Sequence, residues 1–299
     1  MAARLRKRKL CQSYGSLPLG PRTLEEVLTV QLGNVEKLIA AADDDQKIVL
    51  RDTVAAKCSM GVVTTDLYAG VGSWSCVTSQ VVSHAAKVLQ LPEPRFVAFA
   101  ALECDPTAHM VLKAHPDCCR PKHLCPNILH RLPEYHRRQL VAMLTSTLQQ
   151  WKNHKKTSRD PARLQKTRRC LSRKLVCDLR RHLEEVEFMT VGPCLLHPGK
   201  MCPLTPRMDP DVQHMWWVEG DGLICKAFSN LGSQDGFLHE SILPCLVAIY
   251  SARFYEPDQL FTECVPSLNY WTIPEILNRD TPSQLNCVHA LVDGVAMGG

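Results

Sequence analysis

The chain has 299 residues, 45% hydrophobic and 22% charged, an ordinary balance that excludes a disordered or fibrous protein. One α/β domain of roughly 200 to 250 residues would occupy most of that length, and no apolar stretch approaches the ~18 to 20 residues needed to cross a bilayer as a helix. Fifteen cysteines at irregular spacing, behind an N-terminus MAARLRKRKL that lacks a secretory apolar run, point to a reducing compartment with unpaired thiols and no secretion.

The net charge of +5 is unevenly placed. Arg4, Arg6, Lys7, Arg8 and Lys9 form one run, which reads equally as a nuclear-targeting segment or a solvated tail, and residues 1 to 20 are expected to be disordered. From Thr23 to Ala41 apolar residues recur at helical spacing around Gly33. VVTTDLYAG then reads as a buried strand entering a glycine turn, and WSCVTSQVVSHAAKVLQL as the helix that follows. RFVAFAALECD is a second strand with an acid at its end, PTAHMVLKAH a second helix, and HLCPNIL a short third strand. Two helices are expected around Arg138 to Trp151 and Pro161 to Val186, then GPCLLHPGKMCPLTPRMDP as a long insertion or linker. MWWVEGDGL is a strand, Leu243 to Ser251 a helix and QLFTECVPS a final strand and turn. The order strand, glycine loop, helix, strand, acid is the first half of a nucleotide-binding α/β sheet.

Lys152 to Arg181 holds twelve basic residues, among them Lys155, Lys156, Arg168, Arg169, Arg173 and Lys174. Such a cluster neutralises phosphates and suits a nucleic-acid partner, although a solvated helix face has the same composition. His115, Cys118, Cys119, His123, Cys125 and His130 offer zinc-type donors in one loose group, but without paired knuckles they read as structural thiols, and no metal is expected.

Two loops carry the chemistry: DLYAGVGSWS at Asp66 to Ser75, and GDGLICKAFSNLGSQDG around Cys225. Together with Glu103, Asn127 and the FTECVPS segment at Glu263, they resemble the C5-cytosine-specific DNA methyltransferase family, whose motifs read D-x-F-A-G-x-G-G, P-C-x-x-F-S-x-x-G-x-x-x-G and E-N-V. The resemblance covers roughly 110 residues, in four motifs taken in the family's order. It implies a Rossmann-like methyltransferase fold, with a mixed, mostly parallel sheet and helices on both faces. This domain would span residues 21 to 299, with a basic helical insertion at about 131 to 215.

By the same resemblance, S-adenosyl-L-methionine would lie across Asp66, Tyr68, Ala69, Gly70 and Gly72. Glu103 would take its ribose, with Asp105 as a rival or a helix cap, and Asn127 would accept from the adenine amino group through its amide oxygen. Cys225 would be the nucleophile at carbon 6 of cytosine and Glu263 the acid at ring nitrogen 3. The substrate would be DNA, with RNA as a near variant, in the nucleus or another compartment holding nucleic acid, and with no membrane partner. A non-catalytic nucleic-acid-binding module with the same core is the alternative. Departures from the family are Leu223 and Ile224 before Cys225 in place of prolines, Lys226 after it, Cys264 in place of asparagine, and no Q-x-R-x-R element.

Overall fold

A computed structural model describes residues 24–70, 72–117, 119–222 and 236–263. In chain order they form α1 (Leu24–Ala41), α2 (Asp44–Met60), β1 (Val62–Leu67), α3 (Ser73–Val88), β2 (Phe96–Leu102), α4 (Pro106–Ala114) and β3 (His123–Cys125). There follow a 3-10 turn (Ile128–Arg131), α5 (Glu134–Thr157), α6 (Pro161–Glu184), β4 (Val191–Pro193), β5 (Met201–Pro203), β6 (Trp216–Gly222), α7 (Ile242–Tyr255) and β7 (Gln259–Glu263). No helix among the described residues is long and apolar enough to cross a membrane.

β1, β2, β3, β6 and β7 build one sheet in the order β3-β2-β1-β6-β7, and every described pairing in it is parallel. Parallel strands are buried on both faces, which explains why β1 reads Val-Val-Thr-Thr-Asp-Leu with every residue buried rather than alternating. The strand order reverses between β1 and β6. Right-handed crossovers on either side of that reversal put their helices on opposite faces. The packing agrees: α1 and α2 lie on α3, whereas α5, α6 and α7 lie on one another. The chain is therefore α/β with a five-stranded parallel sheet flanked by helices.

The larger core lies on the α5–α7 face. There Val63, Leu67 and Phe99 of the sheet meet Leu140, Leu144 and Trp151 of α5, Leu175, Leu179 and Leu183 of α6, and most of α7. The four-residue spacing of the α6 leucines makes one stripe, and Asp160 caps the helix by accepting from the Ala162 amide at 2.9 Å ahead of Pro161 at its first position. Residues 134–184 are thus part of the domain core, not a solvated appendage. A smaller cluster on the other face joins Ala101, Leu112 and Leu124 to Ala69, Leu195 and Leu196.

Two elements depart from the sequence reading. Asp44–Met60 is a helix that periodicity does not reveal, since Cys58 is its only buried residue; the signal was the capping box between Asp43 and Gln46. The stretch expected to be a long insertion or linker folds as the β4–β5 hairpin, with Leu195 and Leu196 packed on the sheet. The expected disorder of residues 1 to 20 lies outside the described residues.

Candidate functional site

The parallel register brings the strand ends level. Leu67 of β1 pairs with Leu102 of β2 and with Asp221 of β6; Leu102 pairs with Cys125 of β3, and Asp221 with Thr262 of β7. Every candidate position outside the basic helices lies on this crest or within five residues beyond it in the chain, apart from Asp66, one residue short of it. In an open α/β sheet the crevice for a ligand opens at the carboxyl ends of the strands, where the strand order reverses. Here that place is the gap between β1 and β6.

The loop after β1 is held by the end of β2. Gly70 donates its amide to Glu103 Oε2 at 2.7 Å, while Glu103 Oε1 accepts from the Cys104 and Asp105 amides at 2.7 and 2.8 Å. Ala69 N–H donates to Leu102 O at 3.2 Å, and Gly72 N–H to Ala69 O at 2.7 Å. Three residues here are left-handed: Tyr68 at φ +54°, Gly70 at +51° and Gly72 at +75°. The two glycines do different jobs. A Cβ on Gly70 would meet nothing nearer than 4.0 Å, so its backbone is open to a ligand; one on Gly72 would stand 2.7 Å from Leu112 and 3.3 Å from His115. Gly72 therefore serves close packing of α3 against α4, not ligand approach. Ala69 packs into the cluster around Ala101.

Asp66, expected to face the cofactor, is buried behind the loop. Its carboxyl accepts from the Ser75 hydroxyl at 2.8 Å and the Ser75 amide at 3.2 Å, fastening the first turn of α3 to β1. Burial pushes its pKa up to about 7 against the opposing Ser75 hydrogen bonds. Asp105 resolves as a helix cap, accepting from the Thr107 amide at 2.8 Å, which leaves Glu103 as the carboxylate facing Gly70. Asn127 likewise caps the 3-10 turn, its Oδ1 taking the Leu129 amide at 2.9 Å. One lone pair of the oxygen expected to read adenine is thus engaged within the turn.

Three buried polar atoms at the crevice have no hydrogen-bond partner among the described residues: Tyr68 hydroxyl, Trp74 Nε1 and Asp221 Oδ1. Unpaired buried groups are rare and mark places where a further polar partner belongs. Burial, and then Asp221, raise the Tyr68 hydroxyl well above its ordinary value; burial, and then Glu219, raise Asp221. The Tyr68 hydroxyl and Trp74 Nε1 are donors in want of an acceptor. Trp74 lies across β6 and against Phe261 of β7, ring centroids 5.1 Å apart; a Cβ on Gly220 would come within 2.1 Å of its Nε1. The sequence reading passed over Trp74 and Asp221, although an acid inside the apolar strand WWVEGDGL was a visible signal.

Beneath the crest Arg131 and Glu219 form an ion pair at 2.9 Å with both side chains wholly buried. Arg131 also donates to Ser251 Oγ at 2.7 Å and lies over the Tyr255 ring at 4.9 Å. Glu219 also accepts from Thr65 Oγ1 at 2.9 Å, and Trp217 Nε1 donates to the same Thr65 oxygen. This network locks β1, β6, α7 and the 3-10 turn together at the switch in strand order.

Cys225 lies outside the described residues, three positions after the last residue of β6. The backbone of Glu263 ends β7 in register with Gly222. The basic residues sit on the outer part of the α5–α6 hairpin. Lys156, Arg169, Arg173 and Lys174 are exposed; Lys155 is exposed with its ammonium 5.4 Å from the Trp151 ring, and Arg168 is half-buried. No family model, curated protein or solved structure matches this chain.

Proposed function

We propose that the chain is an S-adenosylmethionine-dependent methyltransferase acting on carbon 5 of cytosine in nucleic acid, DNA in the first instance. One observation carries the reading: the level strand ends gather the Gly70 loop, its Glu103 tether, Asn127, Gly222 and Glu263 on one crest, although the sequence spreads them over 193 positions, from Gly70 to Glu263. The crevice between β1 and β6 takes the cofactor, with the open Gly70 backbone beside it and Glu103 toward its ribose. The donors left unpaired there fit a ligand rich in acceptors.

The Cys225 thiolate adds to carbon 6 of the extruded base, and Glu263 hydrogen-bonds ring nitrogen 3, which drains electron density from the ring. Carbon 5 then takes the methyl group, and the cofactor's sulfonium leaves as a thioether. Loss of the carbon-5 proton restores the double bond and breaks the bond to sulfur. The exposed cations of the α5–α6 hairpin supply phosphate neutralisation.

The test is incubation of the full chain with S-adenosylmethionine and either a 5-fluorodeoxycytidine DNA or a 5-fluorocytidine RNA, followed by mass spectrometry. Fluorine blocks the last proton loss, so a covalent adduct mapping to Cys225, and missing in Cys225→Ala, is expected. The arm that traps names the substrate. Cofactor binding without an adduct in either arm would replace this reading with a non-catalytic binding module, which the missing Q-x-R-x-R element favours.

A further inference from the structure

β3 forms one edge of the sheet among the described strands, and the segment leading from β4 to β5 wraps around it. Leu195 and Leu196 pack on the Leu124 side, and Leu195 N–H donates to Leu124 O at 2.8 Å. On the other side the same segment brings Cys194, His197 and Cys202 up to His123, the first residue of β3. One donor atom from each of the four lies within 4.8 Å of the others.

Two of the separations match those of a tetrahedral metal site. His197 Nδ1 is 3.4 Å from Cys194 Sγ and 3.4 Å from Cys202 Sγ. A zinc ion with Zn–S of about 2.3 Å and Zn–N of about 2.0 to 2.1 Å sets its nitrogen and sulfur ligands about 3.5 Å apart, close to both distances. The fourth donor needs a partner: His123 Nδ1 is buried with no hydrogen bond among the described residues. Cys194 and Cys202 are both buried and neither is in a disulfide. Leu124 N–H points at Cys194 Sγ at 3.4 Å, the outer hydrogen bond that a metal thiolate accepts.

We propose that His123, Cys194, His197 and Cys202 bind one zinc ion, which clamps the β4–β5 hairpin onto the edge of the sheet. Two thiolates and two neutral imidazoles balance the double charge of the ion, as a partly buried site requires. The mixed sulfur and nitrogen set selects zinc over magnesium or calcium. Four protein ligands leave no open position, so the ion is structural and plays no part in a reaction. Binding displaces the two thiol protons to solvent. The partners proposed for His123 lie in a loop about seventy residues further on, which no local spacing of cysteines and histidines around His123 could show.

The experiment is elemental analysis of the full chain purified without chelators, with X-ray absorption at the zinc edge, for wild type, Cys194→Ser, Cys202→Ser and His123→Gln. Each serine variant is expected to lose about one zinc per chain, and His123→Gln to hold its zinc at least ~10-fold more weakly against a competing chelator. The wild-type shell should contain two sulfur and two nitrogen ligands. If the serine variants do not fold, cobalt uptake by the metal-stripped wild type decides. Thiolate-to-cobalt charge-transfer bands together with tetrahedral visible bands support the site. Unchanged zinc in Cys194→Ser, a shell of four sulfurs, no cobalt bands, or a Cys194–Cys202 disulfide in freshly purified protein would each overturn it. None of these readouts depends on methyl transfer, so failure here is separable from failure of the proposed function.

Discussion

Glu219→Gln should remove more stability than any surface substitution in this chain. Arg131 and Glu219 are each 0% exposed. Burial disfavours the guanidinium charge, but the charge and hydrogen bond of the adjacent Glu219 carboxylate, together with Tyr255 and Cys125, hold Arg131 above its ordinary value. Taking away one partner of such a pair leaves a buried charge uncompensated, which costs about 3 to 5 kcal/mol, whereas replacing both with apolar groups of similar volume is near neutral. Arg131 would keep only Ser251 Oγ and a neutral amide oxygen as hydrogen-bond acceptors, with the Tyr255 ring face beside them. Glu219→Gln and Arg131→Met are therefore each expected to lose about 3 kcal/mol or more, and Arg131→Met/Glu219→Leu to stand within about 1 to 2 kcal/mol of wild type. Against the roughly 5 to 15 kcal/mol typical of a domain, a loss of about 3 kcal/mol is about a fifth to three fifths of the total. Urea unfolding followed by tryptophan fluorescence reads the cycle, because Trp217 is fully buried and hydrogen-bonded into the same network. Single losses below about 1 kcal/mol that simply add in the double variant would refute the reasoning.

Asp66 makes a pH signature. Its folded pKa of about 7 lies above the ordinary 3.8, so the folded state holds the extra proton and the stability it brings fades as pH rises through 7. Asp66→Asn should thus gain on wild type by about 2 to 3 kcal/mol between pH 5 and pH 8 in urea midpoints; a pH-independent difference would remove the buried carboxyl from the account. Gly72→Ala and Gly70→Ala share the backbone strain of a positive φ, about 1 to 2 kcal/mol, but only Gly72→Ala also drives a methyl into Leu112. Thermal unfolding should rank Gly72→Ala lower by about a further 1 to 3 kcal/mol, and equal losses would contradict the packing. Reversing charge at Lys156, Arg169, Arg173 and Lys174 should weaken oligonucleotide binding and flatten its dependence on salt; an unchanged slope in a titration from low to high salt would remove the α5–α6 hairpin from the interface.

Local signals made much of the fold legible. β1, its glycine turn and α3 are readable because an apolar run, two glycines and a helical recurrence stand side by side in the chain. α6 is readable because Asp160 and Pro161 mark its start and Leu175, Leu179 and Leu183 draw one stripe. Glu103 is readable as an acid ending a strand. Sequence did not separate Gly70 from Gly72, because the distinction rests on Leu112 and His115 of another element. Nor did it show that Asn127 and Asp105 use their side chains as caps, since the same residue types serve ligands and turns alike.

What the sequence determined by itself is therefore the order of elements, the α/β class with a mostly parallel sheet, and the residue types at each strand end. Periodicity, caps and turn residues act within a few positions, so these can be read in a single pass along the chain. The tertiary structure decided three further things: the level crest that gathers those strand ends, the Arg131–Glu219 pair whose partners are 88 positions apart, and the meeting of His123 with Cys194, His197 and Cys202. In each case the energy comes from desolvation and donor geometry between segments far apart in the chain. A charge or a thiol carries no mark in its own neighbourhood of which distant segment will cover it.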